Sequence, residues 1–337
     1  MKALVICAGG GIGDVLLATP VMRALHTRYE DVVALTAPAH REVLSRQTML
    51  ADVWVDDRSF VAQARRIGAA HFDAVVVTWA TLRAAALPFA ARLPIRVGQS
   101  RRLYSSLFTH RVLIRSELGD RTTHWTQILL DFARALDCDV ADATPSFPID
   151  DAERAEAERL LREHDVAEPF LLLHPTRAIA SIRARWPTTG LVALARSLRA
   201  TTGAALVVSG TAADAEIAAE IARQSGGISL AAKTSLGTFG ALAARARAVV
   251  AMDSGPMHVA AAVGAPTVGI YALQSDVPDR WAPLGRRTAT VRASYPCPPG
   301  HRKETCPDFA CVATLDVPRV LNALSGLLAA RAEAPGT

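Results

Sequence analysis

Several groups of residues in this chain have the types and spacing for chemistry. The first is Ala8-Gly9-Gly10-Gly11-Ile12-Gly13-Asp14, directly after the apolar run Lys2–Cys7. Glycines there permit positive φ and close approach of a ligand to the backbone. A helix starting at such a loop offers its unpaired N–H groups to an anion. Asp14 has two compatible roles open to it: capping that helix, or standing at a strand's C-terminal end as a general base. Nucleotide fingerprints fail here. No Gly-Lys-Ser/Thr closes a P-loop, and G-x-G-x-x-G read from Gly9 and Gly11 ends on Asp14, while from Gly10 its middle position is Ile12. An NAD site is thereby weakened.

The second group is the run Ala248–Tyr271, AVVAMDSGPMHVAAAVGAPTVGIY. A strand ends at Asp253, Ser254-Gly255 turn the chain, and Pro256 takes the first helical position, where its missing N–H costs nothing. The helix start suits a diphosphate. His258, in the first turn, is either a ligand contact or a structural histidine.

The third group is Cys297, His301, Cys306 and Cys311. It is either a Cys₃His metal site of irregular spacing or a set of reduced thiols packing a loop. Asp137-Cys138-Asp139 has D-x-D spacing but follows a helical pattern over 125–136, so it reads as a helix end. Arg83, Arg92, Arg96, Arg101, Arg102, Arg111, Arg115 and Arg121 cluster in sequence. They form a surface for an anionic ligand or a solvated face.

Elements must hold these residues in place. Apolar runs at Lys2–Cys7, Val32–Thr36, Ala51–Val55 and Ala74–Thr78 alternate with helical patterns at Asp14–Arg28 and Arg41–Met49. After a charged helix at Asp151–Glu163 the alternation restarts. Strands are expected at Phe170–Leu173, Ala204–Ser209, Ile228–Leu230, Ala248–Ala251 and Pro266–Tyr271. Helices are expected at Gly190–Ala200, Asp214–Gln224, Leu236–Arg245, Pro256–Val263 and Val317–Ala330. Such βαβ succession predicts an α/β fold with parallel sheets. Two halves are expected, 1–167 and 168–337, with a ligand cleft between them and the last helix free to pack back on the first half.

Composition narrows the class. The chain has 337 residues, 37 Lys plus Arg against 32 Asp plus Glu, and 50% hydrophobic residues. Disorder is excluded by the apolar content, and a net charge of +5 is too weak to argue for nucleic acid. Five cysteines, an odd and sparse set, argue against a disulfide framework. The apolar stretch Phe72–Val97 is broken by Asp73, Arg83, Arg92 and Arg96 and makes a poor membrane span. With no signal-peptide pattern at the start, a cytoplasmic protein is expected. By half, 20 basic against 21 acidic residues give −1 for 1–167, and 17 against 11 give +6 for 168–337.

The Asp-Ser-Gly-Pro-Met-His-Val-Ala-Ala-Ala run resembles the signature of glycosyltransferase family 9, the ADP-heptose:lipopolysaccharide heptosyltransferases. Residues 11–25, His174-Pro175, Arg185-Trp186-Pro187, Leu230–Leu236 and the Cys-containing tail are similar to further motifs of that family, in the same order. The resemblance implies a GT-B architecture, two facing Rossmann-like domains, with acceptor bound by the first and nucleotide sugar by the second. It implies inverting transfer of a heptose from ADP-heptose to lipopolysaccharide core or a related surface glycan, with Asp14 as base and no required metal or cofactor. Thr176, Arg183, Arg185, Lys233, Asp253, Ser254, Gly255 and His258 would bind the donor. Gly11 and Gly13 would line the loop near both substrates. Arg83, Arg101, Arg102 and Arg121 would meet an anionic glycolipid or oligosaccharide acceptor, at the cytoplasmic face of the inner membrane. Where the family carries a lysine two positions before Trp-Pro, this chain has Ala184, so Arg183 or Arg185 is expected to replace it. The readings kept beside this one are another nucleotide sugar or acceptor on the same fold, and a nucleotide-sugar-binding protein without transfer.

Overall fold

The computed structural model describes residues 1–176, 182–298 and 306–329. The chain forms two compact units, Met1–Pro148 and Ile149–Thr337. The division falls before the charged helix rather than after it. That helix, Asp151–Glu163, starts on a reciprocal capping box: the Asp150 carboxylate accepts from Glu153 N at 2.7 Å, and the Glu153 carboxylate accepts from Asp150 N at 3.1 Å. Its Ala157, Leu160 and Leu161 are buried, and it packs on the helix Leu236–Arg245. Gly237 makes this approach feasible, because a Cβ there would collide with the Glu153 carboxylate. Moving this acidic helix to the second unit redistributes the charge. The first unit nets +3, from 17 basic and 14 acidic residues, and the second +2, from 20 and 18. The excess therefore does not concentrate on the second unit.

The first unit holds a six-stranded parallel sheet: Lys2–Cys7 (β1), Asp31–Thr36 (β2), Asp52–Val55 (β3), Ala74–Val77 (β4), Ile95–Gln99 (β5) and His110–Val112 (β6), in the order β3-β2-β1-β4-β5-β6. The second unit repeats this plan with Phe170–His174 (β7), Ala205–Val208 (β8), Ile228–Ser229 (β9), Ala248–Met252 (β10), Thr267–Tyr271 (β11) and Thr288–Arg292 (β12). Their order is β12-β11-β10-β7-β8-β9. Counted within each unit, both sheets have the doubly wound order 3-2-1-4-5-6. The central strands are buried on both faces, as helix-covered parallel strands must be.

This topology decides where ligands can sit. In each sheet the strand order reverses between the unit's first and fourth strands. The crevice outside the carboxyl ends at that point is the natural ligand position. In the first unit it lies between β1 and β4, and in the second between β7 and β10.

The helix expected over 14–28 is two helices, Ile12–Leu17 and Thr19–His26, joined at Ala18. Pro20 explains the break. It has no N–H to continue the ladder, and the Thr19 hydroxyl takes the Leu16 carbonyl instead, at 2.8 Å. The final helix, Val317–Ala329, buries Val320 and Leu324 in the second unit's own core, so its described packing is with that unit.

Candidate active site

At the first unit's switch point stands the glycine loop. Gly11 is the N-cap of the helix Ile12–Leu17, and Asp14 is its third residue, so Asp14 is not itself the cap. Instead the Asp14 Oδ2 reaches back and accepts from Gly11 N at 2.7 Å. Gly13 lies inside this first turn. The loop demands glycine at two positions. Gly10 has φ +77°, and a Cβ on it would come 2.6 Å from Asp14 Oδ2. At Gly9 a Cβ would run into the Trp79 ring.

The neighbouring strands supply two residues that motif reading missed. Trp79 follows β4 and covers the loop at Gly9. His40 ends the short 3-10 turn Pro38–His40 after β2 and is buried, with no hydrogen-bond partner on Nδ1. Burial lowers its pKa, and the nearby Asp14 charge works in the opposite direction. Both residues lie just past the carboxyl end of a strand flanking β1. Strand order alone could have drawn attention to them.

At the second unit's switch point, β10 ends at Met252, and Asp253 N continues the ladder by donating to Ile270 O at 2.9 Å. Ser254 is the N-cap of the helix Gly255–Ala262, yet its hydroxyl donates back to Met252 O at 2.8 Å rather than capping the first turn. Pro256 lies within that turn, one residue past the start. His258 is buried on the same turn.

Across the switch point, β7 ends in His174, which is buried, with Nδ1 3.1 Å from Ser209 Oγ and its ring edge-on to Phe239. Burial pushes its pKa down to about 4, against the charge of Asp214. Asp214 is a further residue the motifs did not flag. It accepts from Thr211 N at 2.8 Å and Thr211 Oγ1 at 2.6 Å, and it bonds the Thr176 side chain. Burial opposes its ionisation, but these bonds hold its pKa below the usual carboxylate range. Thr176 is thus tied to the loop after β8.

Ala184 is fully buried, while Arg183 and Arg185 on either side of it are exposed. Lys233 is exposed, its Nζ 3.0 Å from His164 Nε2. The preceding Ala232 adopts φ +61°.

The arginine cluster is less open than its sequence suggests. Arg83 makes a two-pronged contact with Asp56, at 3.0 and 2.6 Å, and this holds the Asp56 pKa down. Arg115 pairs with Asp131 and Arg102 with Glu117. Arg96 donates to the Leu107 carbonyl at 2.7 Å. Arg83 is therefore engaged within its own unit. Arg101 and Arg121 are exposed and enter no ion pair among the described residues.

In the tail, Cys297 lies near Cys311 and Cys306, and burial followed by these neighbours raises its pKa. Cys306 Sγ accepts from Phe309 N at 3.2 Å. Among the described residues no three His, Cys, Asp or Glu side chains are placed to hold a metal. His301 lies outside the described residues. Asp137 has φ +53°, just beyond the helix Trp125–Arg134, in keeping with a helix end. No described helix is long and apolar enough to cross a membrane.

Two doubly wound units, each with polar residues at its switch point, are the plan of the GT-B fold. The solved family 9 glycosyltransferase from Veillonella parvula has this fold: TM-score 0.80, 18% identity, covering 98% of this chain and 97% of that one. The Escherichia coli ADP-heptose LPS heptosyltransferase II matches with TM-score 0.77 and 22% identity, over 98% of this chain and 100% of that one. In sequence, the lipopolysaccharide heptosyltransferase 2 of Salmonella typhimurium is 28% identical over 317 residues, 87% of this chain and 88% of that protein. The model of glycosyltransferase family 9 (heptosyltransferase) matches residues 60–308. The chain belongs to glycosyltransferase family 9. That match spans the second unit's switch point and starts after the Asp14 loop.

Proposed function

We propose that this chain transfers a heptose from ADP-heptose to the core of lipopolysaccharide or a related surface glycan, with inversion. The observation that carries the reading is family membership joined to a carboxylate, Asp14, at the first unit's switch point. The relatives' names supply the donor and acceptor classes.

In this mechanism the second unit holds the donor. The first turn of Gly255–Ala262 has no side-chain cap, so its N–H groups and dipole are directed to the diphosphate. Asp253 and His258 stand beside it, with Arg183 or Arg185 supplying positive charge and Thr176 held in place by Asp214. Lys233 flanks the same edge. Asp14 takes the proton of the acceptor hydroxyl. The acceptor oxygen bonds to the anomeric carbon from the face opposite the diphosphate, and the bond to the diphosphate breaks, its electron pair leaving with ADP. Charge stabilisation at the leaving group and one general base suffice, so no metal or cofactor enters. Arg101 and Arg121, exposed and outside any ion pair among the described residues, meet an anionic acceptor, carried by a lipid at the membrane face.

The test is a donor screen with a truncated core oligosaccharide, read by mass spectrometry. Addition of one heptose mass from ADP-heptose supports the reading. Addition only from a UDP- or GDP-sugar favours a second one, another sugar on the same fold. The loop Ala272-Leu273-Gln274 gives that reading its basis: it stands where the resemblance would continue Gly-Pro-Thr after Tyr271, and it is held by bonds from Leu273 N to Asp276 Oδ2 and from Tyr295 N to Gln274 Oε1.

A further inference from the structure

Exposed apolar side chains are distributed unevenly. Among the described residues every exposed large hydrophobic except Tyr295 lies in the first unit. Leu103 is 103% exposed, Leu118 65%, Leu82 63% and Leu113 41%. Isolated exposed leucines need no explanation, but these four follow the carboxyl ends of adjacent strands. Leu82 opens the helix after β4, Leu103 the 3-10 turn after β5, and Leu113 and Leu118 lie after β6. Because β4, β5 and β6 are parallel neighbours, their carboxyl ends share one edge of the sheet.

Hydrogen bonds stitch the three connections into one surface. Tyr104 Oη donates to Ala80 O at 2.7 Å, joining the β5 and β4 loops. Ser100 N donates to Val112 O and Gln99 Nε2 to Glu117 Oε1, each at 2.7 Å, joining the β5 and β6 loops. Arg102 meets the same Glu117 oxygen at 3.1 Å.

The charge around these leucines is positive. Between Gly98 and Arg121 the chain carries five arginines and two acids. Arg102 is paired with Glu117 and Arg115 with Asp131, and bonds from Thr122 N and Thr123 N hold Asp120 ionised, so Arg101, Arg111 and Arg121 stand against Asp120 alone. Arg101, Arg111 and Arg121 are exposed. Apolar side chains ringed by arginine match an anionic bilayer: the leucines enter the headgroup boundary and the guanidinium groups meet lipid phosphates.

We infer that the loops after β4, β5 and β6 dock the protein on an anionic phospholipid surface, with Leu103 and Leu118 as the inserted side chains. The surface lies on the same sheet edge as the Asp14 loop. From β1 to β6 there are three strand spacings, about 14 Å, so a lipid-borne acceptor would arrive beside the base. The inference rests on the proposed function for its purpose, though not for its test.

The test is sedimentation of the full chain with vesicles of phosphatidylglycerol and phosphatidylcholine, against phosphatidylcholine alone. The wild type is compared with L103S/L118S, whose altered side chains are exposed, and folding is checked by thermal unfolding. The expected result is binding to anionic vesicles that high salt reverses and that the double variant weakens by roughly tenfold or more. Transfer to a soluble core oligosaccharide should stay unchanged in the variant, while transfer to lipid-anchored acceptor falls. No vesicle binding by the wild type, equal binding by the variant, or equal binding to neutral vesicles overturns the inference. So does a wild-type dimer that the variant dissociates, which would assign the patch to a second copy. Equal loss with soluble and lipid-anchored acceptors would also overturn it, by placing the leucines in the acceptor pocket. Vesicle binding that behaves as expected with no heptose transfer at all supports the surface and sinks the proposed function instead.

Discussion

The two units share one topology and put different chemistry at its switch point. In the first, a helix N-terminus is already occupied by its own carboxylate: Asp14 accepts the Gly11 N–H. In the second, the Ser254 hydroxyl turns away to Met252 O and leaves the first turn without a side-chain cap. Neither helix has a side-chain cap on its first turn; what differs is that the first unit places a carboxylate at that end, bonded to the N-cap N–H. A carboxylate at a helix start repels a diphosphate and suits a proton acceptor. A start without one attracts the diphosphate. Each switch point also carries a buried histidine, His40 without a partner on Nδ1 and His174 bonded to Ser209.

The largest expected effect that separates the units is on acid stability. His174 is neutral when folded, its pKa near 4, against about 6.5 unfolded. Between those values the unfolded chain binds more protons, so stability is fully present above pH ~6.5 and is lost as pH falls towards 4. The loss is about 3 kcal/mol. Urea unfolding across that range should show it, and His174→Gln should flatten the dependence. An unchanged slope in the variant would mean that another group carries it.

A smaller effect probes the first loop. Gly10→Ala places a Cβ in the left-handed region and against Asp14 Oδ2. Transfer should drop by about thirtyfold, corresponding to about 2 kcal/mol, with ADP affinity unchanged. Isothermal titration beside a rate assay separates the two, and a matching loss of ADP affinity would erase the division of labour.

Smaller again is Ala232→Gly. Ala232 holds φ +61°, a conformation that favours glycine. Relief of that strain should raise stability by about 1 kcal/mol, measured by denaturant midpoint. Smallest is Arg83→Gln. Since Arg83 is engaged with Asp56, the change should cost under about 1 kcal/mol of stability and leave acceptor KM unaltered. Arg121→Gln should raise that KM. Equal effects on KM would restore Arg83 to the acceptor surface.

Much of this arrangement was legible in the residues. Lys2–Cys7, Asp151–Glu163 and Leu236–Arg245 match the helices and strands expected there, because long apolar or amphipathic runs state their own period. β5, β6 and β12 were not anticipated. β6 has three residues, two of them exposed, and β12 is a half-buried edge strand, so neither shows a buried face in its sequence. The loops around Asp14 and Ser254 were readable from glycine, proline and an acid at a strand's end. Trp79, His40 and Asp214 were not, since they join their sites through strand order, which no local motif records. Arg83 shows the converse limit: a cluster of arginines looks open in sequence until its acidic partners, here Asp56, are folded against it.

In the proposed mechanism the first unit supplies the base and the second holds the donor. Asp14→Asn tests it most directly, with transfer rate and ADP affinity measured on the same preparation. Transfer should fall by about a hundredfold or more while ADP binds as it does to the wild type. Retained transfer, or loss of ADP binding in step with a loss of transfer, would overturn that division between the units.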